Sequence, residues 1–337
     1  MKKFLAIILA VVLMLSLSVV AFADGDTTTD DTTVTITKTY KASNGGVSPA
    51  EEFTFSDFTR VSITENDAAT WPETDPTITS ISYAEGEATA DGTGTGTKTA
   101  TITLPTYTAV GVYTYSFTEA VPTTKTAGVT YNDTTLYLVV TVIEQNGKVR
   151  VAAVHCEGSH DKGTYGTAPK TDAFENKYES GTLAVTKTVT GNMGDKSKYF
   201  DVTVTFTAAS GEAINSTITY TGGKYDQAVT VVNNTATIQV KDGDTVTFAN
   251  VPEGVTWKVE EADYTTEAGG KYDAATYSTQ TDSIAAGDAD TCTITNNKST
   301  EIDTGITLDS LPYILIGMVV LAAAVAMILN KRRNAAY

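Results

Sequence analysis

Three polar side chains with complementary amide chemistry lie far apart in the first 180 or so residues of the sequence. Lys38, Glu119 and Asn176 each stand two positions after an apolar residue in a strand-like segment. Because side chains alternate between the two faces of a strand, this spacing predicts that all three point into the core. An amine, a carboxyl group and a carboxamide would then share one dry interior.

The second half of the sequence repeats this pattern in the same order, with Lys187, Glu261 and Asn296. Alternation with Val259 selects Glu261 as the inward acid, because the adjacent Glu260 has the opposite parity. The neighbours of opposite parity are expected to face outward: Lys41, Glu260 and Asn297.

Such a trio could form an isopeptide bond once, without turnover. Burial lowers the pKa of an ammonium group and raises that of a carboxyl group, so a proton can pass from lysine to glutamate. The neutral amine can then attack the asparagine carboxamide, while the protonated acid assists the departing ammonia. The alternative is that these are surface residues of ordinary strands. That alternative is reasonable for any one lysine, but six residues in the same order and parity favour two Lys–Asn bonds.

The elements that must position these residues are strands. The chain has 337 residues, of which 63 are Thr and 17 are Tyr, and its apolar runs are short and alternating. We therefore predict an all-β protein of two tandem antiparallel sandwiches, at residues 34–178 and 181–299. Asn146-Gly147 predicts a hairpin turn. Short alternating apolar runs predict eleven further strands. They are Glu52–Phe58, Thr99–Leu104, Gly111–Glu119, Leu136–Ile143, Val149–Val154, Phe200–Thr207, Ile214–Tyr220, Ala228–Val232, Thr235–Val240, Thr245–Phe248 and Thr256–Glu261.

Both ends of the sequence indicate export. Residues 1–23 have two lysines, an apolar run and Ala21-Phe22-Ala23, which is typical of a signal peptide cleaved before Asp24. A polar leader over residues 24–33 follows. Residues 311–329 are apolar enough for a transmembrane helix, and a basic cluster at 331–333 is expected on the cytoplasmic side.

Charge and cysteine content exclude several classes of function. The formal net charge is -17, and the segment between the two apolar ends is more acidic still, which argues against nucleic-acid binding. Two cysteines cannot make a disulfide framework. His155, Cys156 and His160 fit no strong metal-binding spacing, so we expect neither a metal nor a cofactor.

The sequence resembles the isopeptide-containing immunoglobulin-like domains of Gram-positive pilins and wall-anchored surface proteins. Ile36-Thr37-Lys38, the run from Tyr113 to Glu119, and Phe174-Glu175-Asn176 carry the resemblance in the first unit; Val185 to Gly191 carries it in the second. The resemblance implies immunoglobulin-like sandwiches, closed by Lys38–Asn176 and Lys187–Asn296 bonds with Glu119 and Glu261 as the catalytic acids.

Residues 301–337 resemble a cell-wall sorting signal, in which a short motif precedes an apolar span and a basic tail. Asp303-Thr304-Gly305 matches the end of the Leu-Pro-x-Thr-Gly pattern, and Glu301-Ile302 departs from its start. The resemblance implies cleavage by a sortase between Thr304 and Gly305, with transfer to peptidoglycan or to a neighbouring pilin subunit. A plain single-pass membrane protein is the alternative. Lys170, in Ala168-Pro169-Lys170, resembles the lysine that accepts the preceding pilin subunit, although a solvated loop lysine is equally compatible.

Three functions fit these features to different degrees. The first is a structural, wall-anchored fibre subunit on the cell surface. The second is a monomeric wall- or membrane-anchored adhesin that binds a host or matrix ligand. An extracellular enzyme is third, because the candidate catalytic residues act on their own domain and no hydrolase motif occurs.

Overall fold

The computed structural model describes residues 32–160, 170–300 and 311–334, which form two successive β units and one helix. The signal peptide, nearly all of the leader, and Thr304 and Gly305 lie outside the described residues. In the first unit a 3₁₀ turn spans Gly94–Gly96. Twelve strands make up the rest of its regular structure. They are β1 Thr33–Ala42, β2 Glu51–Phe55, β3 Thr59–Thr64, β4 Thr77–Ile78, β5 Ile81–Tyr83, β6 Thr97–Thr103, β7 Gly111–Ala120, β8 Lys125–Thr126, β9 Val129–Thr130, β10 Thr135–Gln145, β11 Lys148–Glu157 and β12 Ala173–Tyr178.

Two sheets enclose the core of the first unit. One has the strand order β4-β6-β1-β12-β9; the other has β11-β10-β7-β2-β5, with β3 also paired to β7. Alternating residues of the facing strands are buried between the sheets, among them Ile36, Tyr115 and Phe174. The predicted all-β sandwich is confirmed for this unit.

The second unit repeats this architecture with its own core. Its sheets have the orders β17-β16-β19-β13-β23-β21 and β18-β14-β20-β22, and Trp257 lies in the interior. The strands are β13 Ser180–Thr190, β14 Phe200–Thr207, β15 Glu212–Ala213, β16 Thr219–Gly222, β17 Tyr225–Thr230, β18 Thr235–Val240, β19 Thr245–Pro252, β20 Thr256–Glu261, β21 Thr276–Tyr277, β22 Thr281–Ser283 and β23 Ala289–Asn297.

The sheets are mixed rather than purely antiparallel, which corrects the prediction. The first and last strands of each unit are neighbours and run parallel: β1 pairs with β12, and β13 pairs with β23. Parallel neighbours require a long connection, and here the whole of each unit supplies it. Local alternation in the sequence gives no information about that pairing.

Two local predictions have opposite outcomes. The hairpin is confirmed, because Gln145 pairs with Lys148 and both intervening residues have positive φ. The predicted strand Ile214–Tyr220 is wrong over residues 214–218, because β15 ends at Ala213 and β16 begins only at Thr219. The intervening segment makes contacts with the first unit instead, where the Asn215 side chain donates to Thr126 Oγ1 at 2.8 Å.

The two units meet in a hydrogen-bonded junction with Glu179 alone between β12 and β13. Strands β8 and β15, one from each unit, pair in parallel. Asn250 accepts from Val47 N at 3.0 Å and donates to Val47 O at 2.9 Å. Ala127, from the first unit, is fully buried in the core of the second. Ser180 and Gly181 already belong to β13, so the second unit begins almost directly after the first.

Within the described residues, one α-helix, α1, spans Leu311–Asn334. Its stretch Pro312–Arg332 has a mean hydropathy of 2.5 and is unburied, so it is long and apolar enough to cross a membrane.

Candidate cross-linking sites

Parallel pairing of β1 and β12 brings Lys38 close to Asn176. Lys38 is level with Phe174, and Asn176 is level with Tyr40, two positions further along β1. Residues two positions apart share a face, so the lysine and the asparagine are diagonal neighbours on the inner face, within reach of a long side chain.

The second unit has the same register. Lys187 is level with Ile294 on β23, and Asn296 is level with Val189, again two positions further along. The lysine and asparagine therefore have the same offset in both units, and in each the pair joins the first strand to the last.

The glutamate comes from the facing sheet in both units. Glu119 lies near the end of β7 and Glu261 at the end of β20, each after alternating buried residues. The inward placement predicted from alternation is confirmed, because both glutamate side chains are at most 1% exposed. Glu260 has a side chain that is 53% exposed, so parity distinguished correctly between the two adjacent acids.

The first trio is in direct contact. Lys38 Nζ lies 2.7 Å from Glu119 Oε2, and both side chains are fully buried. Asn176 Nδ2 donates to Glu119 Oε1, so one carboxyl group bridges the amine and the carboxamide. Asn132 N donates to Asn176 Oδ1 at 3.1 Å from the loop before β10. The ring centroid of Phe53 is 4.1 Å from Lys38 Nζ.

The second trio makes related contacts with a different arrangement. Lys187 Nζ lies 3.1 Å from Glu261 Oε1 and donates directly to Asn296 Oδ1. The ring centroid of Phe200 is 4.3 Å from Lys187 Nζ, which repeats the position of the phenylalanine in the first unit.

Burial changes the acid–base state of both lysines. Desolvation lowers the pKa of Lys38 to about 8, against the attraction of Glu119, which raises it. Desolvation likewise lowers the pKa of Lys187, and Glu261 opposes that shift. A lowered pKa makes the neutral form of each amine, which is the nucleophile, easier to reach.

The sequence did not reveal two kinds of contact at these sites. Phe53 and Phe200 lie in strand-like runs, but nothing in those runs indicates that their rings cover a lysine amine. The backbone N–H of Asn132 has no side-chain signature at all. Only the fold of the loop between β9 and β10 places it beside Asn176.

The remaining site predictions lie apart from the two trios. Lys170 is exposed, and its backbone forms an isolated antiparallel β-bridge with Glu157. His160 Nδ1 lies 2.8 Å from Glu157 Oε1, and His155 Nε2 lies 3.6 Å from Glu157 Oε2. Within the described part of the chain, no group of three or more His, Cys, Asp or Glu is placed to hold a metal ion.

Comparisons with known proteins agree with this geometry. The family profile "Spy0128-like isopeptide containing domain" matches residues 34–179, and a domain of unknown function, DUF7601, matches residues 181–298. A pilin of Streptococcus pyogenes serotype M1 is 29% identical over 228 residues, which cover 63% of this chain and 64% of that protein, slightly less than two thirds of its length. The pilus tip adhesin Cpa of Streptococcus pyogenes is 32% identical over 92 residues, which cover 26% of this chain and 13% of the adhesin.

Solved structures show the same fold. The major pilin from Streptococcus pyogenes superposes with a TM-score of 0.55 at 24% identity, over 81% of this chain and all of that one. A single-substitution variant of that pilin superposes with a TM-score of 0.52 at 26% identity, over 80% of this chain and 99% of the variant. The chain is therefore similar to the streptococcal pilin in sequence and fold, and its residues 34–179 match the profile of Spy0128-like isopeptide containing domains.

Proposed function

We propose that this protein is a structural subunit of a cell-surface fibre, closed by one autocatalytic Lys–Asn isopeptide bond in each unit. The observation that carries the proposal is the repeated buried trio. In both units an amine of lowered pKa, a carboxyl group and a carboxamide converge with the same strand register. Homology to a streptococcal pilin supports the same conclusion.

The bond would form when the lysine nitrogen replaces the amide nitrogen on the carboxamide carbon of the asparagine, and ammonia is released. Lys38 passes a proton to Glu119, and its neutral Nζ attacks Cγ of Asn176. Glu119 contacts both nitrogens, so it can carry the proton from the attacking nitrogen to the departing one. The Cγ–Nδ2 bond breaks, ammonia leaves and the amide remains. Lys187, Glu261 and Asn296 would react in the same way, and neither site would turn over.

The second bond suits a subunit that carries tension. With Lys170 as the acceptor, tension along the fibre would enter β12 near Asn176, pass into the second unit at its first strand, β13, and leave after its last, β23. Because β13 and β23 are parallel neighbours, a bond between them passes the force directly and leaves the rest of the sandwich out of its path. An ordinary sandwich would instead have to resist by its hydrogen bonds alone.

Attachment to the wall would use the C-terminal segment. Helix α1 would hold the exported chain in the membrane, and a sortase would cleave between Thr304 and Gly305 and transfer Thr304 to peptidoglycan or to a neighbouring subunit. The exposed Lys170 is the proposed acceptor for polymerisation. The protein would thus act at the cell surface with sortase, wall and other subunits as partners.

Intact-mass measurement of the ectodomain tests the two bonds. We expect a deficit of two ammonia molecules, with one restored by Glu119→Ala and the other by Glu261→Ala. Glu260→Ala is the matched control, because that neighbouring acid is exposed and should leave both bonds intact. A wild-type mass equal to the sum of its residues would refute the proposal.

A monomeric adhesin is the second candidate, favoured by the 92-residue similarity to a pilus tip adhesin. Wall extraction followed by blotting separates the two. A ladder of covalent multimers, lost in Lys170→Arg, supports the fibre subunit. A single band at monomer mass supports the adhesin.

A further inference from the structure

The carboxamide of Asn176 is held by different partners at its two ends. Its nitrogen donates to Glu119, the group that would protonate the departing ammonia. Its oxygen accepts from the backbone N–H of Asn132, with the nitrogen and oxygen 3.1 Å apart. Attack by an amine on this carboxamide drives negative charge onto that same oxygen, and Asn176 is buried away from water. A fixed N–H donor in such a place stabilises the transition state.

The side chain of Asn132 fixes the loop that presents this N–H. Its Oδ1 accepts from Thr134 N at 2.8 Å, and its Nδ2 donates to Glu175 O at 3.3 Å, next to Asn176 in the chain. The first contact closes a local turn, and the second ties that turn to strand β12. The donor is therefore held in place before the reaction begins.

The second unit offers a contrast. Among the hydrogen bonds of the described residues, the donor to Asn296 Oδ1 is the attacking group itself, Lys187 Nζ. A lysine that has lost a proton to Glu261 and attacks Cγ cannot serve as a strong donor to the oxygen at the same time. The two sites therefore differ in how the developing oxyanion is stabilised.

We propose that the backbone N–H of Asn132 is the oxyanion donor of the first site, and that it makes this bond form faster than it would with the lysine and glutamate alone. The inference rests on the proposed isopeptide chemistry. Its substrate is the Asn176 carboxamide of the same chain, and the donor contacts the atom on which charge develops.

Pulse-labelling of the expressed full chain, acid quenching and peptide mapping give a half-time for each bond. Asn132→Pro removes the N–H, and we expect the first bond to form about 100-fold more slowly, the usual effect of losing one oxyanion donor. Asn132→Ala keeps the N–H and should form the bond far faster than Asn132→Pro. The second bond, in the same molecules, should keep its half-time and serves as the internal control.

Hydrogen exchange keeps the proposal testable should Asn132→Pro fail to fold. In Lys38→Met, which cannot form the first bond, we expect the Asn132 amide to exchange roughly 10-fold more slowly than in Lys38→Met/Asn176→Ala. Equal exchange in these two variants, or a wild-type half-time in folded Asn132→Pro, would overturn the inference. Absence of both bonds in the wild type would instead refute the proposed function itself.

Discussion

Removing the first cross-link without leaving a buried charge should cost the first unit about 5 kcal/mol. The variant is Lys38→Met/Glu119→Leu, which replaces both buried charged groups by apolar side chains of similar size. Exchange of a buried ion pair for apolar residues is often neutral or stabilising. Most of any loss therefore reports on the covalent bond.

The magnitude follows from the loop that the bond closes. Lys38 and Asn176 enclose about 140 residues, and the chain-entropy relation for a cross-link of that span gives about 5 kcal/mol at 25 °C. For a unit of this size, such a loss lowers the melting temperature by roughly 10–20 °C, at 2–4 °C per kcal/mol. The second bond would join residues 109 positions apart, so its loss should have nearly the same effect on the second unit.

Differential scanning calorimetry of the ectodomain provides the assay. Lys187→Met/Glu261→Leu is the matched control, and it should lower the other transition by a similar amount while leaving the first unit unchanged. Asn176→Ala keeps the buried Lys38–Glu119 contact but loses the bond, so it should be at least as unstable as the double variant. Were Lys38→Met/Glu119→Leu to melt within about 2 °C of the wild type, the cross-link could not stabilise the first unit by about 5 kcal/mol.

Three further outcomes are expected. The rate of the first bond should stay level from pH 6 to about 8 and fall above it, because the proton that Lys38 passes to Glu119 is lost to solvent once the pH exceeds the lowered pKa of Lys38, about 8; a pulse-labelled rate that keeps rising up to pH 9 would contradict this. Asn250→Gly keeps the positive φ of that position but removes the two hydrogen bonds to Val47. Small-angle scattering should then show a wider range of angles between the two units. An unchanged scattering profile would mean that other contacts hold the junction. Lys170→Arg should abolish the multimer ladder with both internal bonds retained, and a persisting ladder would assign polymerisation to another lysine.

The inward faces of the strands could be predicted from the sequence because the side-chain period of two is a local property. Alternation alone placed Lys38 inward and distinguished Glu261 from Glu260. The pairing partner of each strand is not local. The parallel contact of β1 with β12 joins segments separated by the whole first unit, and no alternation pattern specifies it.

Other features could not be predicted from the sequence because the neighbouring unit or the backbone supplies them. The segment after Ala213 reads as a strand, but its polar groups bond to the first unit, where Asn215 donates to Thr126. Tertiary contact thus overrides strand propensity there. The donor at Asn132 is a main-chain group, which every residue except proline possesses, so its role depends on position and not on residue type.

The second bond would matter most for tension along the fibre. Tension that enters through Lys170 would follow β12 past Asn176, continue through Glu179 into β13, and cross from Lys187 to Asn296. Covalent bonds would make up that whole path, and the junction contacts of Asn250 and of strands β8 and β15 would lie beside it. Those contacts would then set the angle between the units without bearing the pull. A non-covalent junction between the units would therefore not weaken a fibre under tension. Rupture would require a covalent bond to break, while bending at the junction would cost only a few hydrogen bonds.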